Sequence, residues 1–129
     1  MAAVLVLSVG ADPFLLSLRE KVLTKLGYAA KTVVGVASFP KEFRAGDYDL
    51  VILCHSLSSK DMRAITNFVR ESRPSAVLIG LSPVPDDAIR LFDAISPTDP
   101  ESLNACILET IGKSPQQRTR LPRQRSSDL

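Results

Sequence analysis

DYDLVILCHS, residues Asp47 to Ser56, decides the fold. Its apolar run Leu50-Val51-Ile52-Leu53 shows no alternation, the pattern of a strand covered by helices on both faces. The run stops on Cys54 and His55. In open parallel sheets, ligands and chemistry collect at the carboxyl ends of the strands. A cysteine therefore stands where such a fold keeps its working residue.

The segments on either side repeat one alternation. Before this strand, Ala3 to Leu7 predicts a first buried strand ending at the turn Ser8-Val9-Gly10-Ala11. Asp12-Pro13 opens a helix, with Asp at the N-cap and Pro at the first helical position. Its expected core face is Leu15, Leu18, Val22 and Leu26, and Gly27 closes it. Ala30 to Val34 predicts a second strand, and Ser38 is expected to cap a short helix, Pro40 to Ala45. After the quoted strand, Ser58 and Asp61 have the spacing of a capping box, with Met62, Ile65 and Val69 as the apolar stripe. Ala76 to Leu81 is a fourth buried strand. Asp86 to Leu91 allows at most two helical turns before a short strand, Asp93 to Ile95. Asp99-Pro100 then starts a last helix whose inner face is Leu103, Cys106, Ile107 and Ile111, ended by Gly112. Strand and helix alternating five times imply a parallel sheet covered on both sides, and right-handed crossovers make it doubly wound.

Composition is that of one globular domain: 129 residues, 45% hydrophobic, 23% charged and no Trp. The start, MAAVLVLSVGADP, has no basic leader, and its apolar run is too short for an export signal or a membrane span. It reads as a buried strand of a cytoplasmic protein, with no membrane partner expected. Two cysteines without CxxC spacing or a Cys/His cluster suggest free thiols and no zinc site. The net charge of +2 hides an asymmetry. Residues 113–129 carry Lys113, Arg118, Arg120, Arg123 and Arg125 against Asp128 alone, whereas residues 1–112 hold 11 basic and 13 acidic side chains. Residues 1–112 are accordingly expected to form the domain, and 113–129 a basic, disordered tail.

In this order and spacing the chain resembles the receiver domain of two-component response regulators. The resemblance covers about residues 3–112. It rests on the strand followed by Asp12-Pro13 and a helix ending Leu26-Gly27-Tyr28, on Asp47 to Leu53, on Leu78-Ile79-Gly80-Leu81-Ser82, and on Ser96-Pro97-Thr98-Asp99-Pro100-Glu101-Ser102-Leu103. It implies a three-layer, flavodoxin-like α/β sandwich with a five-stranded parallel sheet of order 2-1-3-4-5 and a shortened fourth helix.

The resemblance also implies a chemistry that this chain does not carry. In receivers an aspartate after the third strand takes a phosphoryl group from a histidine kinase. Carboxylates after the first strand hold magnesium, and a Ser or Thr after the fourth strand and a Lys after the fifth bind the phosphoryl oxygens. Metal and ammonium are needed to neutralise charge on the transferring group. Carried over residue by residue, the acceptor falls on Cys54 and the acidic pair on Gly10 and Ala11. Asp12 stands nearby but is expected to be engaged as a helix cap. The lysine position falls on Ser96, and the hydroxyl position survives at Ser82. The expected result is a degenerate receiver that has lost Mg2+, needs no cofactor and is not an enzyme.

The leading functional expectation is a stand-alone signalling module that works by phosphorylation-independent docking to a signalling protein, a histidine kinase or another regulator. Its expected contact face is formed by the fourth and fifth strands with the last helix, and a homodimer is compatible with it. A second reading is a phosphorelay member that senses a phosphoryl group or another anion through non-standard residues. A third is a thiol-based redox sensor at Cys54, against which stands the blander reading of a semi-buried space-filler. A Cys54–His55 dyad is disfavoured because adjacent strand residues point to opposite faces. The tail arginines Arg118, Arg120, Arg123 and Arg125 offer at most a loose, salt-sensitive contact to nucleic acid or another polyanion, since no aromatic residue interleaves them.

Overall fold

The computed structural model describes residues 4–112. Ten elements alternate along the chain: β1 (Leu5–Gly10), α1 (Pro13–Lys25), β2 (Ala29–Val34), α2 (Phe39–Ala45), β3 (Leu50–Leu53), α3 (Ser59–Ser72), β4 (Val77–Leu81), a 3-10 helix (Asp86–Leu91), β5 (Ala94–Ser96) and α4 (Pro100–Ile111). The five strands are parallel and ordered β2-β1-β3-β4-β5. The expected α/β sandwich and its strand order are both present, with a 3-10 segment where a fourth α-helix was expected to be short.

The sheet divides the core in two. Leu50 and Ile52 of β3 join Leu16, Leu23, Leu103 and Ile107 on the side of α1 and α4. Val51 and Leu53 join Phe39, Phe43, Met62, Ile65 and Val69 on the side of α2 and α3. Alternate residues of one strand thus serve opposite layers, which is why its sequence is apolar without interruption.

Several local expectations need correction. β1 does not turn at Ser8: its pairing continues to Gly10 opposite Val34, and the strand stays buried to its end. Ala3 lies outside the described residues. In α1, Leu16 and Leu23 face the core, while Leu15 is exposed and Leu18 is 45% exposed. With Phe14, Leu15, Leu16 and Leu18 crowded together, two helical phases were open, and packing of Leu23 against the sheet selects the other one. Ser38 makes no side-chain cap bond, and α2 begins at Phe39. The other caps form as expected. Asp12 accepts from the Phe14 and Leu15 amides at 2.9 and 3.4 Å, Ser58 from Asp61 at 3.1 Å, and Asp99 from Ser102 at 2.9 Å. Gly27 takes φ +101 to end α1, a conformation that costs glycine nothing.

One buried tie lies outside the sequence reading. The Asp93 carboxylate, fully buried, accepts the Leu78 amide at 2.8 Å and pairs with Arg70 at 3.0 Å. It joins α3 to the entrance of β5.

Candidate functional site

The carboxyl ends of β1, β3, β4 and β5 bring four short segments to one rim of the sheet. β1 supplies Gly10, Ala11 and Asp12. β3 supplies Cys54, His55 and Ser56, and the neighbouring strands supply Ser82 and Ser96.

Cys54 ends β3 in a tight turn. Its amide donates to the Val9 carbonyl at 2.9 Å and its carbonyl accepts from Leu57 at 3.1 Å. The side chain packs into the core layer shared with α1 and α4 and is 4% exposed. Burial pushes the thiol up; the positive charge of Arg19 and then the Ser8 hydroxyl pull it down, less strongly. Ser8 Oγ and Arg19 Nε are both buried and make no hydrogen bond of standard geometry, so their influence on the sulfur is one of proximity. His55 is exposed whereas Cys54 is buried, and no hydrogen bond joins their side chains among the described residues. A buried, predominantly protonated thiol is a poor nucleophile, which favours Cys54 as a space-filler.

The β1 end is packed against this cysteine. A Cβ built on Gly10 would meet Ser56 Oγ at 3.1 Å, Cys54 Cβ at 3.2 Å and Cys54 Sγ at 3.4 Å. Ser56 is held there by its own bond, accepting from the Ala11 amide at 2.9 Å. Ala11 itself is exposed. The Asp12 carboxylate is taken up by the start of α1.

Ser82 and Ser96 are joined by the main chain, the Ser82 amide donating to the Ser96 carbonyl at 2.9 Å. Their hydroxyls part company. Ser82 is exposed and precedes a cis peptide to Pro83. Ser96, expected in the pocket, is fully buried, and its hydroxyl donates to the Pro97 carbonyl at 2.7 Å. It faces α4 because it sits in register with Leu81, whose side chain belongs to the same layer. The rim thus gathers Gly10, Ala11, Cys54 and Ser56, and leaves Asp12 and Ser96 occupied elsewhere.

Three participants were missed from sequence. Ser56 lies two residues past Cys54, and that spacing was the available signal. Arg19 reaches from α1 to the loop before α4, donating to the Thr98 carbonyl at 3.1 Å; its signal was a cation placed between Leu16 and Leu23 at helical spacing. Ser8 was assigned to a turn and is instead an interior strand residue. Cys106 is half-buried on α4, its thiol raised chiefly by burial. Arg118, Arg120, Arg123 and Arg125 lie outside the described residues.

The metal that receiver chemistry requires does not fit these side chains. Magnesium takes hard oxygen ligands in near-octahedral geometry. At this rim the groups able to ligate a metal are the buried Cys54 thiol, the exposed His55 imidazole and the Asp12 carboxylate already serving as a cap. Among the described residues, no group of three or more His, Cys, Asp or Glu is placed to hold a metal ion. No helix among them is long and apolar enough to cross a membrane.

No family model and no curated protein matches the sequence, but solved structures match the fold. The receiver domain of a sensor histidine kinase from Pseudomonas aeruginosa PAO1, with magnesium coordinated in its active-site cleft, is similar with a TM-score of 0.74 at 18% identity, over 87% of this chain and 100% of that one. Response regulator protein TrrA from Thermotoga maritima, in complex with Mg2+-BeF, gives 0.70 at 21% identity, over 82% and 97%. A CheY-like response regulator receiver domain from Methylobacillus flagellatus gives 0.68 at 18% identity, over 85% and 99%. The chain has the receiver fold.

Proposed function

We propose that this chain is a receiver-like signalling module that docks to a partner protein without taking a phosphoryl group or holding magnesium. The observation that carries the reading is the filled space at Gly10. Ser56 and Cys54 stand 3.1–3.4 Å from where the Cβ of any side chain at Gly10 would lie, too close for one to enter without displacing them. The position at the end of β3 holds a buried thiol, and the end of β5 holds an inward-turned Ser96 instead of an ammonium group. Phosphoryl transfer depends on electrostatic support from metal and cation, and these side chains do not supply it.

Docking is supported by what the rest of the domain offers. Ile89, Ile95 and Leu108 are exposed apolar side chains on the 3-10 helix, β5 and α4, Leu108 being 62% exposed. The proposed partner is a histidine kinase or another regulator that accepts this face. Two measurements test the proposal together. Intact mass after incubation with acetyl phosphate and magnesium is expected to stay unchanged. Binding to a histidine kinase, followed by calorimetry, is expected to be indifferent to beryllofluoride and weakened by Ile95→Asp or Leu108→Asp. A stable gain of one phosphoryl mass would overturn the reading, as would kinase binding insensitive to both substitutions.

A further inference from the structure

α1 turns one stripe of side chains outward: Phe14, Leu18, Lys21 and Lys25, at helical spacing and opposite buried Leu16 and Leu23. The first half of the stripe is apolar, with Phe14 70% and Leu18 45% exposed. The second half is cationic, and neither lysine forms an ion pair among the described residues. No acid stands on it. Glu20 is half-buried off the stripe, and Asp12 is engaged as the cap of α1. The described residues end at Gly112, just past α4, which packs in the same core layer as α1. The sequence beyond carries Lys113, Arg118, Arg120, Arg123 and Arg125 against Asp128 alone.

We propose that α1, aided by the basic segment after α4, attaches the chain to the surface of a bilayer rich in anionic headgroups. Phe14 and Leu18 enter the boundary between headgroups and acyl chains, while Lys21, Lys25 and the basic segment meet the headgroup phosphates. This is how an interfacial helix divides its contacts. The expectation of no membrane partner rested on the lack of a leader or a span, and surface attachment needs neither.

Two observations select lipid over other anionic partners. Nucleic acid would accept the cations through its phosphates, but it offers no apolar phase to Phe14 and Leu18. A protein partner needs area: even with Leu15 and Val34 counted in, the exposed apolar side chains at this end offer on the order of 350 Å², below the roughly 800 Å² per partner of a stable interface. A bilayer sets no such threshold, because each inserted side chain and each cation near the surface adds its own contribution. Residues 1–112 hold 11 basic and 13 acidic side chains, so the body as a whole is not drawn to an anionic surface, and α1 sets the orientation. Attachment is therefore weak and loosens with salt.

The chain has no Trp, so Phe14→Trp places a single indole at the proposed point of entry. The test mixes the full chain with vesicles of phosphatidylcholine alone, or with about one third phosphatidylglycerol, and reads cosedimentation and indole emission. Binding is expected on the anionic vesicles only, with a blue shift of the Phe14→Trp emission and release at high salt. Leu18→Asp and Lys21→Glu are each expected to weaken it about fivefold or more. Ile95→Asp, which adds a negative charge on β5, is expected to leave it unchanged. All four positions are exposed, and circular dichroism verifies that the variants fold. No binding to anionic vesicles, binding without the blue shift, or Ile95→Asp as damaging as Leu18→Asp would each overturn the proposal. Capture by a double-stranded oligonucleotide in place of the vesicles would assign the cations to nucleic acid and overturn it too.

Discussion

Gly10→Ala adds a single methyl where the structure has almost no space. Gly10 does not use a left-handed backbone, so conformation alone favours alanine, by about 0.4–1 kcal/mol through the unfolded chain. Space opposes it. The new Cβ would stand 3.1 Å from Ser56 Oγ and 3.2 Å from Cys54 Cβ. Ser56 can swing aside only by giving up the bond from the Ala11 amide, a loss of about 1 kcal/mol. Cys54 Cβ is fixed to a main chain held by bonds to Val9 and Leu57 and has less room to move. Overpacking of this kind costs about 1–3 kcal/mol, so the net expectation is a destabilisation of about 1–2 kcal/mol. Urea unfolding followed by circular dichroism measures it as a lower midpoint at unchanged slope. Removing the obstructing oxygen with Ser56→Ala is expected to make the double variant less destabilised than the two single changes added together, by about 0.5–1 kcal/mol. A Gly10→Ala protein as stable as the parent would show that the rim has room for a side chain, and the occupied-space reason for excluding an acidic pair would fail.

The buried Arg70–Asp93 pair predicts that Asp93→Ala destabilises by about 2–4 kcal/mol in the same unfolding assay, discounted for the partial exposure of Arg70; a change below 1 kcal/mol would remove its structural role. Tyr48 donates to Glu42 at 2.8 Å, and burial followed by the Glu42 interaction pushes its pKa up to about 12. The unfolded chain therefore loses this proton first, and the associated stability, complete below about pH 10, is lost progressively between pH 10 and 12, by up to about 2 kcal/mol. Unfolding midpoints across that window should fall less steeply in Tyr48→Phe, and equal slopes would contradict the assignment. In thiol labelling of the native protein, half-buried Cys106 is expected to react before Cys54, and Cys54→Ala to leave the faster phase unchanged. Rapid labelling at Cys54 would revive the redox reading.

The parts of this molecule legible in sequence were those where one physical demand dominates. β3 and β4 lie between two helical layers, and Leu50–Leu53 and Val77–Leu81 are buried throughout, so no polar residue interrupts them. α3 showed its inner face because Met62, Ile65 and Val69 recur at helical spacing in a helix whose other positions are mostly polar. α1 misled because its first turns carry apolar residues on both faces, Phe14 and Leu18 outward and Leu16 inward. At the rim, the identities of Gly10, Ala11 and Cys54 were readable residue by residue. How they are packed was not: Ser56 filling the space beside Gly10, and Arg19 arriving from α1, are products of tertiary packing. Ser96 was misassigned for the same reason, since a strand-end serine can point either to the rim or into a layer, and register with Leu81 decides which.

The most direct test of the central claim is an amide NMR titration of the full chain with magnesium and beryllofluoride. The account predicts that resonances of Ala11, Cys54, Ser56, Ser82 and Ser96 stay in place at millimolar ligand, because neither the metal nor the phosphoryl mimic finds its ligands there. Saturable, concerted shifts at those residues, carried into α4, would contradict it and identify this rim as a working phosphate sensor.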